Sequence, residues 1–230
     1  MAFFTTWTGY VVIFSALLLD GLFFNAFAIG SEPRMSAEVL YQFFYFSSGL
    51  VMVASIFLAI RLISEEAANG TLILFLTSPV SERQYIYGKF ISCAVVLLIL
   101  QVLSLYLPLL ILVEGKVSLG HLFSGYLGTT LLGLAVLSIS LFSSSITSSQ
   151  LLSGVVAAAL VVIFLLLWLL AAVVDEPLRS LFSYLAIHND HFRRFGRGVI
   201  HTKHFVYYAS LIIFFLECSI RSLETRRLEG

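Results

Sequence analysis

Between Leu122 and Val174 the chain runs for 53 residues without a charged side chain. Wound as one helix, that stretch would be about 80 Å long at 1.5 Å per residue. The hydrocarbon core of a bilayer is only about 30 Å thick. The segment must therefore fold back on itself. Its one polar cluster, Ser143-Ser144-Ser145-Ile146-Thr147-Ser148-Ser149-Gln150, marks the place. Two membrane-crossing helices are predicted, over 122–143 and 151–174, joined by a serine-rich turn.

The same criterion, a gap between charges of about 20 apolar residues, applies elsewhere. Met1 to Leu19, Val39 to Ile60 and Phe90 to Val113 carry no charge, and Phe205 to Ile220 is interrupted only by Glu217. The spacing predicts six spans: 7–29, 40–62, 89–113, 122–143, 151–174 and 203–222. The fold class is all-α, a polytopic membrane protein with one domain over 1–230. What lies between the spans is short loops, which leaves no room for a soluble catalytic domain. The first span lacks the basic region and small-residue cleavage site of a signal peptide, and Trp7 and Tyr10 sit where an interfacial aromatic belt belongs.

Composition agrees. Hydrophobic residues make up 60% of the chain and charged residues 11%, against about 25% charged in soluble domains. Mean hydropathy is +1.01. A soluble globule so poor in polar surface would precipitate, and a disordered chain needs the opposite composition. The 13 basic and 13 acidic residues cancel, so no basic field argues for nucleic acid. Cys93 and Cys218 lie far apart inside apolar runs and read as small buried residues.

The chemistry-bearing residues are few. Gly88-Lys89 and Gly115-Lys116 lack the glycine spacing and the following Ser or Thr of a P-loop, so the chain holds no ATP by that route. His188, His191, His201 and His204 crowd one loop. Their i, i+3 spacing puts each pair on one helix face. They read as interfacial histidines of a polar loop, with an intramembrane metal-dependent enzyme as the alternative. Asp20 lies within the first span with no partner within a turn. It should face protein or water rather than lipid, its partner coming from another helix. With Asn25 and Gln101 it forms the candidate substrate path. Glu217 precedes Arg221 by four residues, the orientation that favours an ion pair. Pro108 is expected to kink the third span, and Gly125, Thr129 and Gly133 form a small-residue stripe for close helix approach.

The most informative segment follows the second span, from Arg61 to Gln84. Gly70 can stop one helix, Thr71 to Thr77 forms a short apolar second one, and Pro79 ends it. Ser81 with Gln84 is a capping box that opens the third span. An apolar helix too short to cross, held between two breaks, must dock into something.

The stretch EEAANGTLILFLTSPVSERQYIYGKF resembles the signature loop of type-2 ATP-binding-cassette (ABC) exporter permeases. Glu66, Gly70, Thr71, Leu72, Thr77, Ser78, Pro79, Ser81, Gly88 and Lys89 match its pattern. The two ends, GYVVIFSALLLDGLFFNAF and HFRRFGRGVIHTKHFVYYASLIIFFLECSIRSLETRR, resemble the gliding-motility, or GldF-like, branch. Asp20 and the histidine richness of the last loop depart from that branch. The resemblance implies a cytoplasmic coupling helix between spans 2 and 3, with Glu65, Glu66, Gly70, Thr71, Leu72, Phe75, Leu76, Thr77, Ser78 and Pro79 facing a separate ATPase. It implies two ABC ATPase subunits, which bind ATP and Mg, and a second permease copy or related chain. It also implies a multi-pass protein of the bacterial cytoplasmic (inner) membrane, both termini cytoplasmic. Positively charged loops alone do not decide this, with six Lys and Arg on one side and seven on the other. A short outer re-entrant or interfacial helix is expected between spans 5 and 6, over 180–187. A non-transporting membrane assembly factor is the remaining alternative.

Overall fold

The computed structural model describes residues 7–29, 35–76, 78–111 and 118–229, with side chains for all of these except 7–9, 76 and 229. Among the described residues, six helices are long and apolar enough to cross a membrane. Helix α1 (Trp7–Phe23) continues into a π-helical turn, Phe24–Ile29. It is followed by α2 (Ser36–Ala59), the short helices α3 (Ser64–Ala68) and α4 (Leu72–Leu76), and α5 (Glu82–Ser104) with its continuation α6 (Tyr106–Leu110). The chain ends with α7 (Leu119–Ile146), α8 (Gln150–Val173), the short pair α9 (Leu178–Leu185) and α10 (Asn189–Gly196), and α11 (Thr202–Glu229).

Helix α7 is the hub. It packs against α2, α11, α8, α10 and α5. Of its most apolar window 78% is buried, against 17% for α1 and for α8. Its sequence accounts for this. Lipid is as apolar as leucine, so helices associate in membranes by close packing and hydrogen bonding rather than by a hydrophobic drive. A Cβ on Gly125 would lie 2.1 Å from the Phe44 ring, and one on Gly133 would lie 2.7 Å from Val51 Cγ1. The small-residue stripe thus admits α2. Gly128, outside that stripe, does the same for α10: a Cβ there would lie 2.4 Å from Phe195 Cβ.

The expected serine turn is shorter than the polar cluster. Helix α7 runs through Ser143, Ser144 and Ser145, and only Thr147 to Ser149 leave the helix. Serine hydroxyls hydrogen-bond to backbone within reach. Here Ser145 donates to the Phe142 carbonyl, Ser143 to the Ser153 carbonyl and Ser144 to the Ile60 carbonyl. The Ser143 and Ser144 hydroxyls become ties between α7 and neighbouring segments rather than helix breakers, while Ser145 bonds within its own helix. Pro108 acts as expected, with the break one turn upstream of it. The proline ring collides with the carbonyl four residues earlier, which belongs to Ser104, and α5 ends at that residue.

Another expectation is corrected. Glu217 does not pair with Arg221; its carboxylate lies 3.8 Å from Arg83 at the start of α5. Arg221 instead bonds Glu224 at 3.3 Å. Helix α11 runs beside α5, and Arg227 also bonds Glu82, at 2.6 Å, so cations and carboxylates pair across the two helices.

The start of α1 and the last turns of α11 lie at the end of the bundle that carries α3 and α4. Val12 and Ile13 near the start of α1, and Leu223 near the end of α11, pack in the same apolar cluster as Ile63 and Leu72. Phe24 and Ala28 pack in the opposite cluster, with Phe43, Ile187 and Phe195.

Between α8 and α11 the chain forms two short helices rather than one. Their connection dips alongside α8: the Ile187 N–H donates to the Phe164 carbonyl at 3.2 Å. Phe164 lies ten residues before Val174, about 15 Å down the helix. Non-helical backbone at that depth must be satisfied by protein. Tyr208 donates to the Ile187 carbonyl at 2.8 Å and Tyr207 to the Leu185 carbonyl at 2.7 Å. The segment is a helical pair packed along α8 and braced by α11, the arrangement a re-entrant pair requires.

Candidate functional site

The loop after α2 is built as a pinned two-helix hairpin. Arg61 bonds both Glu65 oxygens, at 3.0 and 3.1 Å, closing the first turn of α3. Gly70 has φ 69, a left-handed conformation natural to glycine at a helix end. The Thr71 hydroxyl then donates back to the Glu66 carbonyl at 3.2 Å. Ser78 donates to the Phe75 carbonyl at 2.7 Å and closes α4. The Ser81–Gln84 capping box forms as the sequence predicts.

Side chains fix this hairpin to the bundle. The Glu66 carboxylate accepts from the Tyr85 hydroxyl and from the Lys89 ammonium of α5. The Phe75 ring stacks on Tyr85, centroids 3.9 Å apart. From below, Ser144 Oγ accepts from the N–H groups of Ile63 and Ser64, at 3.0 and 2.9 Å. The sequence names Glu66 and Lys89 without joining them, and it suggests Ser144 as part of a turn rather than as the brace of the hairpin. Both links cross long sequence separations that periodicity does not register.

The outward face of α4 differs from the one expected. Leu72 is 6% exposed and packs with Leu58 and Ile63 inside the subunit. Ile73 and Leu74 are 63% and 70% exposed. The apolar surface offered by the hairpin is therefore Ile73 and Leu74, with Leu72 as its anchor. Pro79 is exposed, while Phe75 and Ser78 are half-buried. Thr77 and the Leu76 side chain lie outside the described residues.

A second polar group lies inside the bundle. Asp20 is 5% exposed, and the Ser47 hydroxyl of α2 hydrogen-bonds to it. Its carboxyl is near enough to the Tyr126 phenol to act on it electrostatically. Tyr126 meets Ser104 Oγ at 3.1 Å, and the Thr130 hydroxyl donates to Gln101 Oε1. Gln101 Nε2 is buried without a hydrogen-bond partner among the described residues. The structure thus brings Asp20 and Gln101 to one cluster between α1, α2, α5 and α7. Asn25 is exposed and so lies outside this buried cluster. A carboxyl and an amide donor in so apolar a setting can hold a polar group by hydrogen bonds.

Of the four loop histidines, His191 and His204 meet, while His188 is engaged elsewhere. Ser48 donates to the Tyr45 carbonyl at 2.6 Å and meets His188 Nε2 at 2.8 Å. His191 Nε2 donates to the Tyr184 carbonyl at 2.8 Å, and His191 Nδ1 lies 2.7 Å from His204 Nδ1. A neutral His191 with its proton on Nε2 accepts at Nδ1, so His204 is the donor of that pair. Burial holds the His188 and His191 imidazoles below their ordinary value. His121, which the sequence reading leaves aside, bonds the Gly196 carbonyl at 2.8 Å and ties α7 to α10. Among the described residues no group of three or more His, Cys, Asp and Glu side chains is arranged to hold a metal ion.

Comparison with known proteins gives one finding. The family model described as ABC-2 family transporter protein matches residues 11–193, from α1 into α10. No curated protein is similar enough to the chain to count as a match.

Proposed function

Since the chain belongs to the ABC-2 family of transporter proteins, and is thus a transmembrane subunit of an ABC transporter, we propose that it is the permease of an exporter driven by a separate ATPase. Members of this family normally pair with ATPase subunits. The observation that carries the reading is the α3–α4 hairpin. It is fixed to α5 and α7 by Glu66 and Ser144, and it presents Ile73 and Leu74 outward. A rigid lever with an apolar tip is what coupling to a partner groove requires, since motion at the tip then passes into the bundle.

In this reading α4 is the coupling helix, and Glu65, Glu66, Gly70, Thr71, Phe75, Leu76, Thr77, Ser78 and Pro79 shape or flank the contact. ATP and Mg reside on two partner ATPases. A second permease copy or a related chain completes the path, and the largely uncovered α1 and α8 are the surfaces available to it. Both termini and the hairpin are cytoplasmic, in a bacterial inner membrane, and the gliding-motility branch is the finer assignment. Asp20 and Gln101 contribute to the substrate path from inside the subunit, with Asn25 at its edge.

Purification of the chain from its native membrane, with any P-loop ATPase that accompanies it identified by mass spectrometry, tests this. The wild-type chain should co-purify with the ATPase and stimulate its turnover. A double variant, Ile73→Asp and Leu74→Asp, should lose both while keeping the helical content and melting temperature of the wild type. Retention of ATPase by a well-folded double variant would remove the coupling assignment.

A further inference from the structure

At the end of the bundle opposite α4 lies a cavity of about 530 Å³ between α2, α8 and the re-entrant pair. Its size falls in the range of roughly 300–1,000 Å³ typical of ligand pockets. Two guanidiniums line it, Arg179 from α9 and Arg193 from α10. Neither makes an ion pair among the described residues. One carboxylate, Asp190, shares the lining, and it accepts from the Ser183 hydroxyl. His188, also in the wall, is engaged through Nε2 by Ser48, and burial disfavours its charged form. The cavity therefore carries one net positive charge.

The rest of the wall is amphipathic. Tyr45 of α2 and Trp168 of α8 face it, and both are exposed. Ala171 and Ala172 continue the apolar side along the last turns of α8. That helix has the highest hydropathy of the six and is the least covered along with α1. Aromatic rings beside arginines at the end of a spanning helix are the furniture of the headgroup layer. Guanidinium forks match phosphate oxygens two at a time.

We propose that this cavity is a binding site for the phosphodiester headgroup of an anionic phospholipid, held by Arg179 and Arg193, with the acyl chains running down α8 beside Trp168. The inference is independent of ATPase coupling. A water-soluble phosphate ester offers the same anion, but it would leave the apolar wall unused.

The test uses the full chain in nanodiscs or detergent and reads bound lipid by native mass spectrometry. Dioleoyl phosphatidylglycerol is compared with dioleoyl phosphatidylcholine, and glycerol 1-phosphate serves as the soluble anion. One net cationic charge at a membrane surface predicts a preference for phosphatidylglycerol of about fivefold. Arg179→Gln with Arg193→Gln should bring the two lipids to parity, while Lys203→Gln should leave the preference in place. Asp190→Asn should raise it, because the opposing carboxylate is gone. Equal binding of both lipids by the wild type, or an unchanged preference in the double arginine variant, would overturn the site. Binding of glycerol 1-phosphate as tight as that of the lipid would overturn the amphiphile.

Discussion

At the base of the hairpin, one hydroxyl serves three backbone groups. Ser144 accepts from the Ile63 and Ser64 N–H groups and donates to the Ile60 carbonyl. Those groups sit where α2 gives way to α3, and helix ends leave backbone groups without intrahelical partners. Ser144→Ala should cost about 1–3 kcal/mol, the penalty for leaving buried polar groups unpaired. Hydrogen exchange at residues 63 and 64 should accelerate; unchanged protection would show that another group takes over. Asp20 is a different case. Asp20→Asn retains an oxygen for the Ser47 hydroxyl and should assemble as the wild type does, whereas Asp20→Leu removes the acceptor and should lower the melting temperature. A pH effect follows from the re-entrant histidines. His188 and His191 are held below 6.5 by burial, so the α9–α10 pair binds more protons when it opens than when it is closed as pH falls past that value. Closure is therefore most stable above about pH 6.5 and weakens toward the folded-state values. Exchange protection of residues 184–192, corrected for intrinsic rates, should be lower at about pH 5.5 than at about pH 7.5. Equal protection would contradict it. Around His191 the charged groups that bear on this are Asp190 and Lys203.

The helices themselves were legible because their signal is local. Each span is a gap between charges, and the capping box of α5 lies within four residues. The faces were not, since which side of α4 turns inward depends on the contacts of Leu72 with Leu58 and Ile63 from α2 and its exit. A carboxylate at Leu72 would be buried in the subunit's own core, at several kcal/mol. Leu72→Asp should therefore lower the amount of folded protein in the membrane, while Ile73→Asp should leave it unchanged and impair coupling. The reverse pattern in a fluorescence-detected expression assay would mean that α4 is turned about its axis. The small-residue stripe was half legible. Gly125 and Gly133 follow a recognisable spacing, but Gly128 faces Phe195 of α10. Gly128→Leu should loosen the re-entrant pair. Gly128→Leu with Phe195→Ala should restore part of the lost melting temperature.

For the molecule as a whole, the six spans among the described residues and the shared cluster of α1, α4 and α11 put the start of α1 and the end of α11 on the side of the α3–α4 hairpin. A cysteine at exposed Asn69, in a background lacking Cys93 and Cys218, should be shielded from an impermeant reagent in intact cells, and one at exposed Glu176 should react. The opposite result would invert the proposed orientation. The sequence by itself determined the medium, the number of crossings and the break in α5, because these follow from the solvation of side chains over 20 residues and from the chemistry of proline. It also singled out the loop from Arg61 to Gln84 through its glycine, proline and capping residues. Only the tertiary structure decided which residues meet. The joining of Glu66 to Lys89, the bracing of the hairpin by Ser144 and the convergence of Asp20 and Gln101 each involve at least two helices. So does the placing of Arg179 and Arg193 around one cavity. In spans so poor in charge, no periodicity separates the lipid-facing side of a helix from its protein-facing side. That choice rests on shape and hydrogen bonding between helices, which exist only once the bundle has formed.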